Sequence, residues 1–326
     1  MASSLSAAIS YVRNIAESKV DLSSTMEKFQ NTTTQPAVFN PSAVSIFVQL
    51  MKPRVMSLVI FTGFVGLYLA PGDLHPVLAV ISLIAIAAGA GASGAINQWY
   101  DRDIDAIMHR TRSRPIPSGE VAPSEALAFG ITFSIISVLI LSLSANFLAG
   151  GLLAFTIVFY GFIYTVWLKR STAHNIVIGG AAGAFPPVIG WVAVTESVSI
   201  EPIILFSVIF FWTPPHFWAL ALVKRQDYKK AKIPMLPVVA GGNETRRQIL
   251  TYSIIMVGVS LLPNFIGMSK ILYGSLAGIS GSIFLVLAFQ LLRQQDDYRA
   301  MRLFKYSIAY LFILFSALVC DKMILG

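Results

Sequence analysis

The 326-residue sequence is 56% apolar and only 12% charged. Soluble domains carry about 25% charged residues, so this composition excludes an ordinary cytosolic globule, a nucleic-acid-binding domain and a disordered chain. The single cysteine, Cys320, excludes an intramolecular disulfide and a cysteine-based metal cluster, and the net charge of +8 finds its use in membrane topology.

Residues 1–43 form a polar tail of mixed charge. The tail lacks the basic start and apolar core of a signal peptide, and Glu17 and Asp21 are unlike a mitochondrial transit peptide. It reads as a cytoplasmic tail with a weakly amphipathic stretch near 7–16. Residues 44–326 then read as one membrane domain. A crossing helix needs about 20 mostly apolar residues. Nine segments qualify in chain order: 55–70, 76–97, 127–144, 148–168, 176–194, 203–223, 249–266, 272–292 and 306–325. The first is short unless it begins nearer Ile46, with Pro53 close to its start. No ten-residue alternation points to a barrel, so helices are the expected spanning structure.

Nine crossings place the termini on opposite sides. Lys270 and Lys322 then lie on one side, and the other 22 of the 24 Lys and Arg lie on the side of the N-terminus. The positive-inside rule makes that side cytoplasmic.

Two cytoplasmic segments concentrate the polar chemistry, 97–115 after the second span and 224–237 after the sixth. Their separation by four spans predicts two parallel four-helix halves. Asn97, Asp101 and Asp105 are spaced i, i+4, i+8, so on a helix they form one row that drifts by about 40° per step. Asp103 points to another face. Three oxygen-bearing side chains in a row suit a hard cation such as Mg²⁺, which often bridges carboxylates to a substrate's phosphates. Arg110, Arg112 and Arg114, with Lys224, Arg225 and Lys229, are candidate contacts for phosphate oxygens. Spacing alone leaves two readings open: a diphosphate site, or solvated loop charges and snorkelling anchors.

The Asn97-Gln98-Trp99-Tyr100-Asp101-Arg102-Asp103-Ile104-Asp105 string, followed by Arg110-Thr111-Arg112-Ser113-Arg114-Pro115, resembles the first aspartate motif of the UbiA superfamily of intramembrane prenyltransferases, and within it the heme-modifying branch. Further strings fit. They are Lys52-Pro53-Arg54; Tyr164-Thr165 with Trp167 to Arg170; Asn175 with Gly179, Gly180, Gly183, Pro186 and Pro187; Thr213 to Leu220; and Lys224 with Asp227, Tyr228 and Pro234 to Pro237. The resemblance runs from about residue 45 to the C-terminus and is densest between 95 and 240.

This resemblance implies an all-α integral membrane protein, a bundle of nine transmembrane helices with the UbiA-like prenyltransferase fold. It implies transfer of a farnesyl group from farnesyl diphosphate to a vinyl group of heme B, with addition of water, giving heme O and diphosphate on the route to heme A and cytochrome oxidase. Mg²⁺ is the implied cofactor, and a heme A synthase is a candidate partner beside the two substrates and the bilayer. Asn97, Asp101, Asp105 and Asp227 are the implied metal ligands, with the three aspartates also catalytic. In many members a second carboxylate follows four residues after the position of Asp227; here Ala231 stands there, which puts a second magnesium in doubt. His216, Arg54, Lys169, Arg170 and Arg246 are candidate heme contacts, His216 either as an axial ligand or as a bundle-buried, hydrogen-bonded histidine. Tyr100, Tyr164, Trp167 and Trp218 are candidates to face an allylic cation, against an ordinary packing or interfacial role. Gly179, Gly180 and Gly183 give the fifth span a small face for close helix packing or for a flat substrate.

Three other readings compete. A quinone-type aromatic acceptor would use the same carboxylates. A transporter would place ionisable groups near the membrane midplane, whereas every Asp and Glu here lies at a span end or in a loop. A passive scaffold for oxidase assembly would leave the carboxylate row without a role. The expected location is a bacterial inner membrane, with the mitochondrial inner membrane as the alternative.

Overall fold

The structure is a computed structural model that describes residues 41–325, apart from the side chains at 41–43, 54 and 325. The tail expected at 1–43, with its amphipathic stretch, lies almost entirely outside the described residues. Every regular element among them is helical. A short helix α1 (Pro41–Leu50) leads to α2 (Pro53–Leu69), α3 (Pro76–Tyr100), a short α4 (Arg102–Ile107) and α5 (Pro123–Ser144). Helix α6 (Phe147–Val158) continues into a π-helix (Phe159–Leu168), followed by α7 (Asn175–Thr195) and α8 (Ile200–Val223). The short helices α9 (Arg225–Lys230) and α10 (Leu236–Val239) precede α11 (Gly241–Phe265), α12 (Ile271–Gln294) and α13 (Asp297–Leu325).

Eight of these helical stretches are long and apolar enough to cross a membrane unbroken. The first of the nine expected spans is different. It is a pair, α1 and α2, that breaks at Met51–Lys52 and bends by more than 40°. Pro53 explains the break. Its ring disfavours helical backbone at the preceding residue, and Lys52 takes a left-handed conformation with φ 56° and ψ 63°. Helices α11 and α13 each begin eight or more residues before their apolar stretches. Each opens on polar and charged turns that are helical all the same, which hydropathy alone does not register.

Helix α7 is the most buried span and sits at the centre. It meets α2 at near-backbone distance. A Cβ at Gly66 would lie 2.0 Å from the Pro187 carbonyl oxygen, and one at Gly190 would lie 2.1 Å from the Gly63 carbonyl oxygen. Small residues let helices without a hydrophobic driving force gain contact area in lipid. Two apolar clusters flank this seam. One joins Ala85 and Ile86 to Leu141, Leu153 and Ile189; the other joins Leu205, Ile209 and Leu222 to Phe284, Tyr310 and Phe315. Several polar side chains inside the spans are paired, whereas Trp218 Nε1 is buried without a hydrogen-bond partner among the described residues. Trp212 Nε1 donates to the Ser307 carbonyl at 2.7 Å, and the Tyr310 hydroxyl donates to Ser260 Oγ at 2.9 Å.

The helix ends group as alternating crossings require. At one end Lys322 Nζ donates to the Tyr68 carbonyl at 2.8 Å, Asn146 Nδ2 donates to the Val192 carbonyl at 2.8 Å, and the Lys270 amide donates to the Asp321 carboxylate. The opposite end gathers both charged segments.

Candidate active site

Asn97 occupies the last turn of α3, Asp101 lies at the junction with α4, and Asp105 lies within α4. The amides of Asp101 and Asp105 donate to the carbonyls four residues back, at 3.0 and 2.8 Å, so the helical row survives the junction. All three side chains are buried, and Asp101 has no exposed surface at all. A carboxylate sinks this deep only when something compensates its charge.

The compensation comes from four cations on three separate segments. Lys52 Nζ donates to Asn97 Oδ1 at 2.7 Å. Lys169 Nζ donates to Asp101 Oδ2, which also accepts from Asn97 Nδ2 at 2.7 Å. An Arg114 guanidinium nitrogen donates to Asp105 Oδ2 at 2.6 Å. Arg170 donates twice to Asp103, at 2.9 and 2.8 Å, and lies 4.7 Å above the Tyr100 ring.

The π-helix sets part of this arrangement. Its i−5 backbone bonds, such as Lys169 amide to Tyr164 carbonyl at 2.9 Å, fit about one extra residue into each turn, and the Thr165 hydroxyl also donates five residues back, to the Tyr160 carbonyl at 2.8 Å. Thr165 Oγ1 thereby reaches Asn97 Nδ2 at 3.1 Å, and Lys169 reaches Asp101. Asn175 then holds the following turn, donating to the Thr172 carbonyl at 2.7 Å. Nothing in residue spacing announces a π-helix, so this placement of Lys169 was not legible in the sequence.

One carboxylate oxygen of the row is buried without a hydrogen-bond donor among the described residues. Asp101 Oδ1 is buried and unpaired, with the Arg170 guanidinium 3.5 Å away. Such an oxygen carries a desolvation penalty that an arriving cation would relieve. With Asn97 and Asp105 beside it, the donor set is all oxygen and fits a hard divalent ion. Asp227 does not complete a cage. Among the described residues no three His, Cys, Asp or Glu side chains converge to hold a metal.

The second charged segment packs against the first. Ile104 and Met108 share one apolar cluster with Tyr228, Ala231, Ile233 and Met235. Ala231 is buried in that seam, which explains why no carboxylate stands there. Asp227 is half-buried, and its carboxylate makes no ion pair or hydrogen bond among the described residues. Arg110 and Arg112 are exposed and Lys224 is half-buried. Arg225 turns away to Asp297 of α13 at 2.8 Å.

The candidate heme contacts divide. Lys169 and Arg170 sit on the aspartate row, as described. Arg246 donates to the Gln295 carbonyl at 3.0 Å. The Arg54 side chain lies outside the described residues. His216 is buried inside the bundle, with Nδ1 2.6 Å from Ser307 Oγ and its ring stacked between Trp212 and Phe304 at 4.2 and 4.6 Å. The glycines of α7 divide as well. Gly179 makes room for the Tyr164 ring and Gly180 for Thr213, whereas a Cβ at Gly183 would meet nothing within 4 Å. Trp218 is buried in the core, and Trp167 is 63% exposed, as an interfacial residue would be.

Asp103 provides an internal control. It is exposed, and the Arg170 hydrogen bonds hold its carboxyl below the usual carboxylate range. That pair is complete above the usual range and is lost only as pH falls through the lowered value. An Asp103→Asn change should cost at most about 1 kcal/mol and lower kcat/KM by no more than about fivefold. Thermal melts and steady-state rates across neutral pH check this.

Residues 59–315 match the UbiA prenyltransferase family. A protoheme IX farnesyltransferase of Parvibaculum lavamentivorans is 57% identical over 282 residues, covering 85% of this chain and 89% of its own length. A digeranylgeranylglyceryl phosphate synthase structure aligns with a TM-score of 0.72 at 19% identity, covering 85% of this chain and 98% of its own. A UbiA homologue from Archaeoglobus fulgidus, bound to DMAPP and Mg²⁺, aligns with a TM-score of 0.62 at 18% identity, covering 84% and 99%. At these identities the two structures establish a shared fold. The expected nine-helix UbiA-like architecture is therefore the observed one, with a broken first span, in a multi-pass membrane protein.

Proposed function

The chain belongs to the UbiA prenyltransferase family, and from that premise we propose that it transfers a farnesyl group from farnesyl diphosphate to a vinyl group of heme B, giving heme O. The observation that carries this reading is the buried Asn97–Asp101–Asp105 row ringed by Lys52, Arg114, Lys169 and Arg170 at one end of a membrane bundle. Support for heme as acceptor comes from the 57% identity to a named protoheme IX farnesyltransferase.

The chemistry follows from charge and water. Asn97, Asp101 and Asp105 would hold Mg²⁺, with Asp227 of the second segment as the further candidate ligand. The ion would supply neutralising charge at the diphosphate. Lys52, Lys169 and Arg114 bind the diphosphate oxygens and stabilise the charge that develops as the C1–O bond breaks. The apolar bundle holds the farnesyl chain and excludes bulk water from the allylic cation. The terminal vinyl carbon of heme B bonds to farnesyl C1, which leaves a cation at the carbon next to the porphyrin. Water adds there and sheds a proton, so farnesyl diphosphate, heme B and water give heme O and diphosphate. Aromatic faces near the site, Tyr100 and Tyr164 first, can stabilise the allylic cation without trapping it.

The relative is bacterial, and the charge distribution agrees with a cell inner membrane whose cytoplasmic face carries the site. Acceptor choice tests the proposal. Purified protein given farnesyl diphosphate and Mg²⁺ should prenylate heme B and leave 4-hydroxybenzoate unchanged. Prenylation of the aromatic acid with heme B untouched would move the reaction to quinone synthesis.

A further inference from the structure

Three oxygens of the row each accept from a cation of the protein itself, and Asp101 Oδ1 has the Arg170 guanidinium 3.5 Å away. Asn97 Oδ1 faces Lys52, Asp101 Oδ2 faces Lys169, and Asp105 Oδ2 faces Arg114. A divalent ion arriving alone would meet occupied oxygens and a cluster of like charges a few ångströms away. A diphosphate arriving with it would bring the anionic oxygens that the lysines need as new partners.

We propose that Lys52 and Lys169 are exchange residues: in the free site they stand in for the metal on Asn97 and Asp101, and on loading they pass to the diphosphate, so that neither metal nor diphosphate binds well without the other. The inference rests on the reading of the aspartate row as the metal–diphosphate site. Both lysines suit the task. Each side chain carries a compact point charge and three rotatable donors on a flexible four-carbon stem, so it can reach either partner. Each also comes from an irregular backbone segment. Lys52 sits at the left-handed break before α2, and Lys169 follows the π-helix. The left-handed backbone of Lys52 is of the sparsely populated kind that clusters at switch regions and ligand clamps, and π-helical turns recur at functional sites. By linkage, whatever factor diphosphate adds to metal affinity, metal adds to diphosphate affinity.

The test measures Mn²⁺ binding by electron paramagnetic resonance, with and without inorganic diphosphate. Wild type should bind Mn²⁺ weakly alone and about tenfold or more tightly with diphosphate. Lys52→Met and Lys169→Met should each bind Mn²⁺ alone several-fold more tightly than wild type and lose most of the gain from diphosphate. Lys52→Gln, which keeps a hydrogen bond to Asn97, repeats the test if Lys52→Met does not fold. Lysine variants that bind Mn²⁺ alone no better than wild type, or that keep the full gain, would overturn the exchange. Asp101→Asn separates the two readings. Its loss of Mn²⁺ binding beside wild-type-like lysine variants would overturn the exchange alone, whereas wild-type Mn²⁺ binding in Asp101→Asn would overturn the site assignment and the exchange with it.

Discussion

Asp101→Asn should lower kcat/KM for farnesyl diphosphate by about a hundred- to a thousandfold, the usual effect of removing one group that stabilises transition-state charge. The substitution keeps the shape and removes the charge from a side chain with no exposed surface. It also strands Lys169, whose ammonium is paired with that carboxylate. Breaking a buried pair by removing one partner costs about 3–5 kcal/mol of stability, so activity and folding would fall together. A second variant separates them. Asp101→Asn with Lys169→Met removes both charges and should recover much of the lost stability, because replacing a whole buried pair is often close to neutral. Activity should stay lost. Thermal melts in detergent beside steady-state rates read both quantities. A folded Asp101→Asn protein with near-wild-type turnover would rule out a catalytic carboxylate here.

Two glycines on one helix should respond in opposite directions to the same change. A Cβ at Gly190 would lie 2.1 Å from the Gly63 carbonyl and 2.9 Å from the Leu67 amide nitrogen, both backbone atoms of α2. Neither can rotate away, so Gly190→Ala must push α2 from α7, at about 1–3 kcal/mol. Gly190→Leu should prevent accumulation of folded protein. Gly183 lies seven residues earlier, where an added Cβ meets nothing within 4 Å. There Gly183→Ala should be neutral or stabilising by up to about 1 kcal/mol, since alanine is the better helix former. The seam bears on function because α2 begins one residue after Lys52. Melting temperatures of the two alanine variants decide the point, and equal shifts would contradict a tight α2–α7 contact.

The parts of the fold legible in the sequence were those set by local pattern. Apolar stretches placed the spans. The i, i+4, i+8 spacing put Asn97, Asp101 and Asp105 on one row, and that row is buried with its members hydrogen-bonded or ion-paired. Other features depend on contacts distant in sequence. Lys52 meets Asn97 across 45 residues, and Lys169 meets Asp101 across 68. Their residue types carried the family resemblance, but their partners depend on a helix break and a π-helix that no periodicity reveals. The same holds for Arg225, whose guanidinium belongs to Asp297, and for Ala231, whose place in an apolar seam explains the missing carboxylate.

The most direct measurement is product analysis by mass. Purified protein is incubated with heme B, farnesyl diphosphate and Mg²⁺, beside a chelator control and the Asp101→Asn variant, and the extracted pigments are resolved by mass spectrometry. The expected product is heme B carrying one farnesyl group and one water, absent from both controls. Heme B recovered unchanged from folded, metal-loaded protein would contradict the proposed reaction.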